Sequence, residues 1–157
     1  LKKNITLIVC IITCLALFAG CGGKTINLEE AKQNIAALKN DGGEALYGQL
    51  YTYTEKELKL AYGIDTSLTQ ESLICFSEDL TKAAMFAILK PSADKYDTVK
   101  EQVESFLMKY EYKWTLYLPE QTAMVQNALV KEEDGYIIVI ISENNSEVLK
   151  AIEAAGK

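Results

Sequence analysis

The side chains able to do covalent or acid–base chemistry in this chain are carboxylates, lysines, tyrosines and hydroxyls. Of 157 residues none is histidine, and all sixteen basic residues are lysine. Without histidine there is no Ser-His-Asp or Cys-His nucleophile pair. Histidine-ligated zinc or iron is excluded with it. Without arginine there is no bidentate clamp on carboxylate or phosphate. Glu101 and Glu104 share a helix face, as a pair of glycosidase acids would, but neighbouring lysines mark an ordinary solvated face. Glu78-Asp79 is an acid pair with no base near it in sequence. Glu132-Glu133-Asp134 lacks the spaced oxygens of a calcium loop and reads as a solvated turn. No metal and no cofactor is expected.

The densest group of special residues is Trp114, Tyr117, Pro119, Glu120 and Gln121. As a binding lip, its aromatics would give stacking area and Glu120 and Gln121 polar contacts. As a packed helix–proline–helix corner, Trp114 and Tyr117 would lie on the core stripe, and their helical spacing favours this. Tyr112 falls off that stripe and is the better candidate for an exposed aromatic. Cys75 sits in the apolar run Leu73–Phe76 and reads as a small buried hydrophobe rather than a reactive thiol.

Cys21 is the remaining residue with chemistry of its own. Lys2 and Lys3 precede an apolar run, Ile5 to Ala19, then Ala19-Gly20-Cys21. A basic start, a short apolar stretch and small residues describe a secretory signal. The run is about 15 residues, short of the roughly 20 needed to span a bilayer. Ala19-Gly20 before a cysteine resembles the lipobox of bacterial lipoproteins, with Phe18 where leucine is preferred. The resemblance implies cleavage before Cys21 and a diacylglycerol on its sulfur. The expected organisation is a signal at 1–20, the lipidated Cys21 with a short tether at 21–26, and one domain at 27–157. Loss of Lys2 and Lys3 takes the formal charge from −6 to −8. So acidic a domain is a poor partner for nucleic acid.

Asn27 caps a helix with Glu30 at the capping-box position, and Leu28, Ala31, Ile35 and Leu38 form its apolar stripe. Residues 44–53 read as a short helix, although Tyr51-Thr52-Tyr53-Thr54 alternates like a strand. Thr54 caps a helix ending at Gly63. Strands at 71–77 and 83–89 make a hairpin. A long helix at 93–117 is broken by Pro119, which opens a helix at 119–127. A second hairpin turns at Asp134-Gly135. Its return strand, Ile137–Ile141, has no alternation and needs cover on both faces, or on one face with an oligomer shielding the other. Asn145 or Ser146 caps a last helix. The expected fold is α+β, a largely antiparallel four-stranded sheet from two hairpins, with helices mainly on one face.

Several stretches together carry a further resemblance: Tyr62-Gly63-Ile64-Asp65, Ala83–Ile88, Trp114 through Tyr117-Leu118-Pro119-Glu120-Gln121, Val125 with Asn127–Val130, and Gly135-Tyr136 with Ile140–Ser142. The chain resembles, over residues 28–154, an uncharacterised family of small lipoproteins from low-GC Gram-positive bacteria, a domain of unknown function. That family commonly ends the second strand in Phe-Lys, where Leu89-Lys90 stands here. The resemblance implies address and fold and carries no catalytic residue. The leading functional expectation is a non-catalytic module, lipid-anchored at the extracytoplasmic face of the cell membrane, binding an envelope protein or a small ligand. The alternatives are a carboxylate- or lysine-dependent envelope enzyme, which needs a deep pocket of perturbed groups, and a subunit with a large apolar patch beside Ile137–Ile141.

Overall fold

The computed structural model describes residues 23–157. The signal segment and Cys21 lie outside the described residues. The Asn27 side chain accepts from the Glu30 amide at 3.1 Å and starts helix α1, Leu28–Ala36. Strand β1 is two residues, Leu50–Tyr51. Thr54 and Glu57 form the reciprocal capping box that starts α2, Glu55–Glu57, which widens into a π-helical turn, Leu58–Tyr62. Gly63 ends that turn in the left-handed conformation, φ 73°. Strands β2, Thr69–Ser77, and β3, Met85–Pro91, form the first hairpin. Helix α3 is Tyr96–Tyr117, and α4, Pro119–Gln126, follows with proline in its first turn. Strands β4, Leu129–Glu133, and β5, Tyr136–Ile141, turn at Asp134 and Gly135, both at positive φ as a tight hairpin turn requires. Helix α5, Asn145–Ala154, is capped one residue earlier than expected, by Asn144.

The fold is α+β with a five-stranded antiparallel sheet in the order β1-β2-β3-β5-β4. Two expectations are corrected. The sheet has five strands, not four, because the stretch read as a short helix at 44–53 supplies β1. Gly48 sits there at φ 66°, which interrupts a helix, and the Tyr51–Thr54 alternation prevails at the edge. The helices also cover both faces rather than mainly one. Side chains of successive strand residues point to opposite faces. Ile74, Phe76, Met85, Ala87, Val139 and Ile141 pack under α3. Cys75, Phe86, Ile88, Ile138 and Ile140 pack under α1 and α5. All six residues of β5 are buried within the one chain, so the run without alternation is a strand with two covers.

Candidate functional site

Helix α3 presents Val99, Val103, Phe106, Tyr110 and Trp114 to the sheet at three- and four-residue steps. Three of these are aromatic, and rings from other elements continue the file. Tyr62 stacks on Phe76 with centroids 5.0 Å apart, and Phe106 on Tyr110 at 5.0 Å. Tyr53 meets Tyr62 at 5.3 Å and Phe76 at 5.1 Å, both edge to face. Tyr51 meets Tyr53 at 4.8 Å and 83°. Such pairs add to burial because ring edges are positive and faces negative. Burial holds Tyr62 well above the usual phenol range and pushes Tyr110 up to about 12, so both keep their protons at neutral pH.

The file surfaces at the end of β2. There Tyr51, Tyr53, Ser77, Glu78 and Leu80 line an open cleft of about 310 Å³. Leu80 is 75% exposed and Tyr51 43%, large apolar groups left in water. The cleft walls are held by main-chain contacts from separate segments. Leu50 pairs with Ser77 and Tyr51 with Phe76, and the Glu78 amide donates to the Gln49 carbonyl at 2.8 Å. Asp79 holds the loop tip through the Thr81 amide at 2.9 Å, which keeps Leu80 projecting. Thr81, through its hydroxyl and amide, keeps the Asp79 carboxyl below the usual range.

The residues singled out from sequence fall in different environments. Trp114 is 3% exposed and sits in the core, its indole Nε1 without a hydrogen-bond partner. Tyr117 packs its ring 5.9 Å from Trp114 yet is 60% exposed, and Tyr112 is 67% exposed on the outer side of α3. Glu120 is exposed in the first turn of α4. Gln121 is occupied: its Oε1 accepts from the Ala83 amide at 3.0 Å, while Tyr110 donates to the Ala83 carbonyl at 3.2 Å. The proline corner therefore clamps the start of β3. Cys75 is fully buried beside Thr52, and burial pushes its thiol up. Sequence reasoning passed over Tyr51, Tyr53 and Leu80. The Tyr-Thr-Tyr-Thr alternation was the available signal for the first two; a lone apolar residue in a polar hairpin loop was the signal for Leu80.

The N-terminal end lies at the opposite end of the sheet. Thr25, Ile26 and Asn27, read from sequence as tether and cap, pair with the C-terminus. The Thr25 and Lys157 main chains bond in both directions at 3.2 and 2.9 Å, and the Asn27 amide donates to Ala155 at 2.9 Å. Ile26 is buried, and its amide donates to the Tyr136 hydroxyl at 3.2 Å. Gly23 lies against Asp134 at the β4–β5 turn. Ladder register puts Ile137 beside Leu89 and Ile141 beside Met85, so the Asp134 turn and the Ser77 cleft cap opposite ends of the sheet. At about 3.3 Å per strand residue they stand roughly 20 Å apart.

Among the described residues no helix is long and apolar enough to cross a membrane. None of them groups three or more Cys, Asp or Glu side chains as a metal site would. No curated protein and no solved structure matches the chain. A family model described as "Domain of unknown function (DUF4358)" matches residues 45–142, from just ahead of β1 to just past β5. The matched span holds all five strands, the aromatic file and the cleft, and leaves out α1 and α5. The chain belongs to the DUF4358 family.

Proposed function

We propose that this protein is a lipid-anchored binding module on the extracytoplasmic face of the cell membrane, non-catalytic, holding an apolar or aromatic group of an envelope partner in the Tyr51–Tyr53–Leu80 cleft. The observation that carries the reading is that cleft: about 310 Å³, walled by exposed aromatic and aliphatic side chains. Leu60, Met108, Tyr112, Leu116 and Tyr117 are exposed too; what sets Tyr51 and Leu80 apart is that they wall one cleft. Glu78 is its one carboxylate, beside two phenols and a hydroxyl, and the reading gives it an orienting role. The anchor rests on the lipobox-like Ala19-Gly20-Cys21. The pinned Thr25–Asn27 segment leaves little slack after Cys21, so an anchored domain would present the cleft on its membrane-distal end.

The test is a crosslinking pull-down from membranes with the native protein, Cys21→Ala, and a Tyr51→Ala/Leu80→Ala variant. Cys21→Ala should leave the membrane fraction; unchanged retention refutes the anchor. The cleft variant should stay membrane-bound and lose the captured partner. Undiminished capture by that variant refutes the cleft.

A further inference from the structure

Helix α3 buries one side and turns the other to water. On that outer side Met108, Tyr112 and Leu116 follow one another at four-residue steps, 68%, 67% and 68% exposed. Side chains four apart on a helix lie one above the other, so the three form a continuous apolar ridge. Single apolar residues scattered over a surface are ordinary; an uncovered ridge of three is a contact surface. The charges beside it are sorted. At roughly 100° per residue, Lys109 and Lys113 fall along one flank of the ridge and Glu104 and Glu111 along the other. None of these four forms an ion pair among the described residues. One member of each flank is fixed by uncharged neighbours: Lys113 Nζ lies 5.7 Å from the Tyr110 ring centroid, and Glu111 accepts from the Gln126 amide nitrogen at 2.8 Å. Lysines four apart mildly destabilise a helix, and α3 leaves that repulsion uncompensated within the chain.

An apolar ridge between flanks of opposite sign complements a copy of itself in one orientation. If two α3 helices lie parallel about a two-fold axis along them, the lysine flank of each meets the glutamate flank of the other. If they lie antiparallel, lysines face lysines and glutamates face glutamates. The parallel arrangement also suits chains held in one membrane. Helix α3 starts at the Asp134 end of the sheet, where Tyr96 and Lys100 bond Glu132, and runs toward the Ser77 end, where Tyr110 meets Ala83. Two copies anchored as proposed above would stand the same way up, with their α3 helices parallel.

We propose that the outer ridge of α3 is the contact surface for a second copy of this chain, the two helices parallel and Lys109 and Lys113 of each copy beside Glu104 and Glu111 of the other. The inference rests on the ridge and its flanks and needs neither the anchor nor the cleft. Three side chains a copy make a small, transient contact, which covalent trapping captures. The experiment is disulfide trapping in whole cells with the full chain carrying Leu116→Cys, Met108→Cys or, on α5 across the sheet, Lys150→Cys. The native chain, whose Cys75 is buried, gives the background. A parallel pair sets each ridge position against itself, so Leu116→Cys copies should link to one another, as should Met108→Cys copies. Lys150→Cys copies should stay single. Adding Lys109→Glu/Lys113→Glu to Leu116→Cys should lower the linked fraction about tenfold or more, because like charges then face each other. Adding Glu104→Lys/Glu111→Lys instead should do the same. The two charge variants expressed together should link again, which also shows that both are folded. Membrane and soluble fractions are read alike, so failure of the anchor moves the chain between fractions and leaves the linking pattern unchanged. Four results would overturn the proposal: no more linking at Leu116→Cys than at Lys150→Cys, links only between Met108→Cys and Leu116→Cys copies, undiminished linking by either charge variant, or no recovery when the two are mixed.

Discussion

The two faces of the sheet are built from the same strands but differ in chemistry. Under α1 and α5 the packing is mostly aliphatic, and its few aromatic hydroxyls are engaged. Tyr47 reaches the Met85 carbonyl at 3.5 Å, and Tyr136 accepts from the Ile26 amide and donates to Glu71 at 3.4 Å. Asn34 bonds across to the Ala151 carbonyl at 3.2 Å, and the Thr25–Asn27 segment pairs with the C-terminal residues. Under α3 the packing is a file of rings that contains an unpartnered indole N–H. Aliphatic side chains interdigitate and close a face. Rings pair edge to face and in offset stacks, and here the file of them runs out to the surface at the Tyr51 cleft. One face serves closure, the other contact, and the family match covers the strands with the second face while omitting both helices of the first.

The hardest test of this contrast is a core truncation on each face. Phe106→Ala should cost about 3–5 kcal/mol and Ile140→Ala about 2–5 kcal/mol in urea unfolding. Both should unfold in one transition; two separable transitions would mean the faces are independent units. Next is alkaline pH. Tyr110, 10.0 when unperturbed, is pushed up to about 12 in the folded chain by burial. A raised phenol contributes stability that is whole below pH ~10 and is lost as pH rises toward about 12, roughly 2–3 kcal/mol. Tyr110→Phe should make that alkaline fall shallower by one proton's share, with Tyr47 and Tyr62, also raised by burial, supplying the rest, and it leaves an unpaired Ala83 carbonyl at neutral pH. An unchanged alkaline slope would place the titrating group elsewhere.

Smaller effects separate closure from contact. Tyr136→Phe leaves the buried Ile26 amide without its acceptor and should cost about 1–3 kcal/mol. Amide exchange at Ile26 should accelerate while the aromatic face stays protected. Equal acceleration on both faces would show that the paired Thr25–Asn27 segment holds the whole molecule. Smallest of all, Leu80→Ala removes a side chain that is 75% exposed and should move stability by no more than about 0.5 kcal/mol. A larger loss in thermal melting would make the cleft part of the core.

Much of the fold was legible because its signals are local. Asn27 and Thr54 with their downstream glutamates, Gly63, Pro119 and Asp134-Gly135 each act within a few residues, and each ends or starts an element where expected. The helical spacing of Val99 through Trp114 put both Trp114 and the α3 core stripe in the right place. The run Ile137–Ile141 demanded two covers or an oligomer, and the structure supplies both covers within the chain. The site was less legible. Gln121 looked free for a ligand until Ala83, thirty-eight positions away in sequence, took its oxygen. Tyr51 and Leu80 share no local pattern; the β1–β2 pairing brings them to one cleft.

By itself the sequence determined the side-chain chemistry available, with no histidine and no arginine, and the positions of caps, breaks and apolar periods. Those are properties of neighbours along the chain, set by backbone dihedrals and a repeat of two or 3.6 residues. Only the tertiary structure decided which helices cover which face, that a two-residue strand closes the edge, and where the file of rings reaches the surface at a cleft. Those follow from the register of long-range pairings, and a shift of one residue in a strand exchanges its two faces.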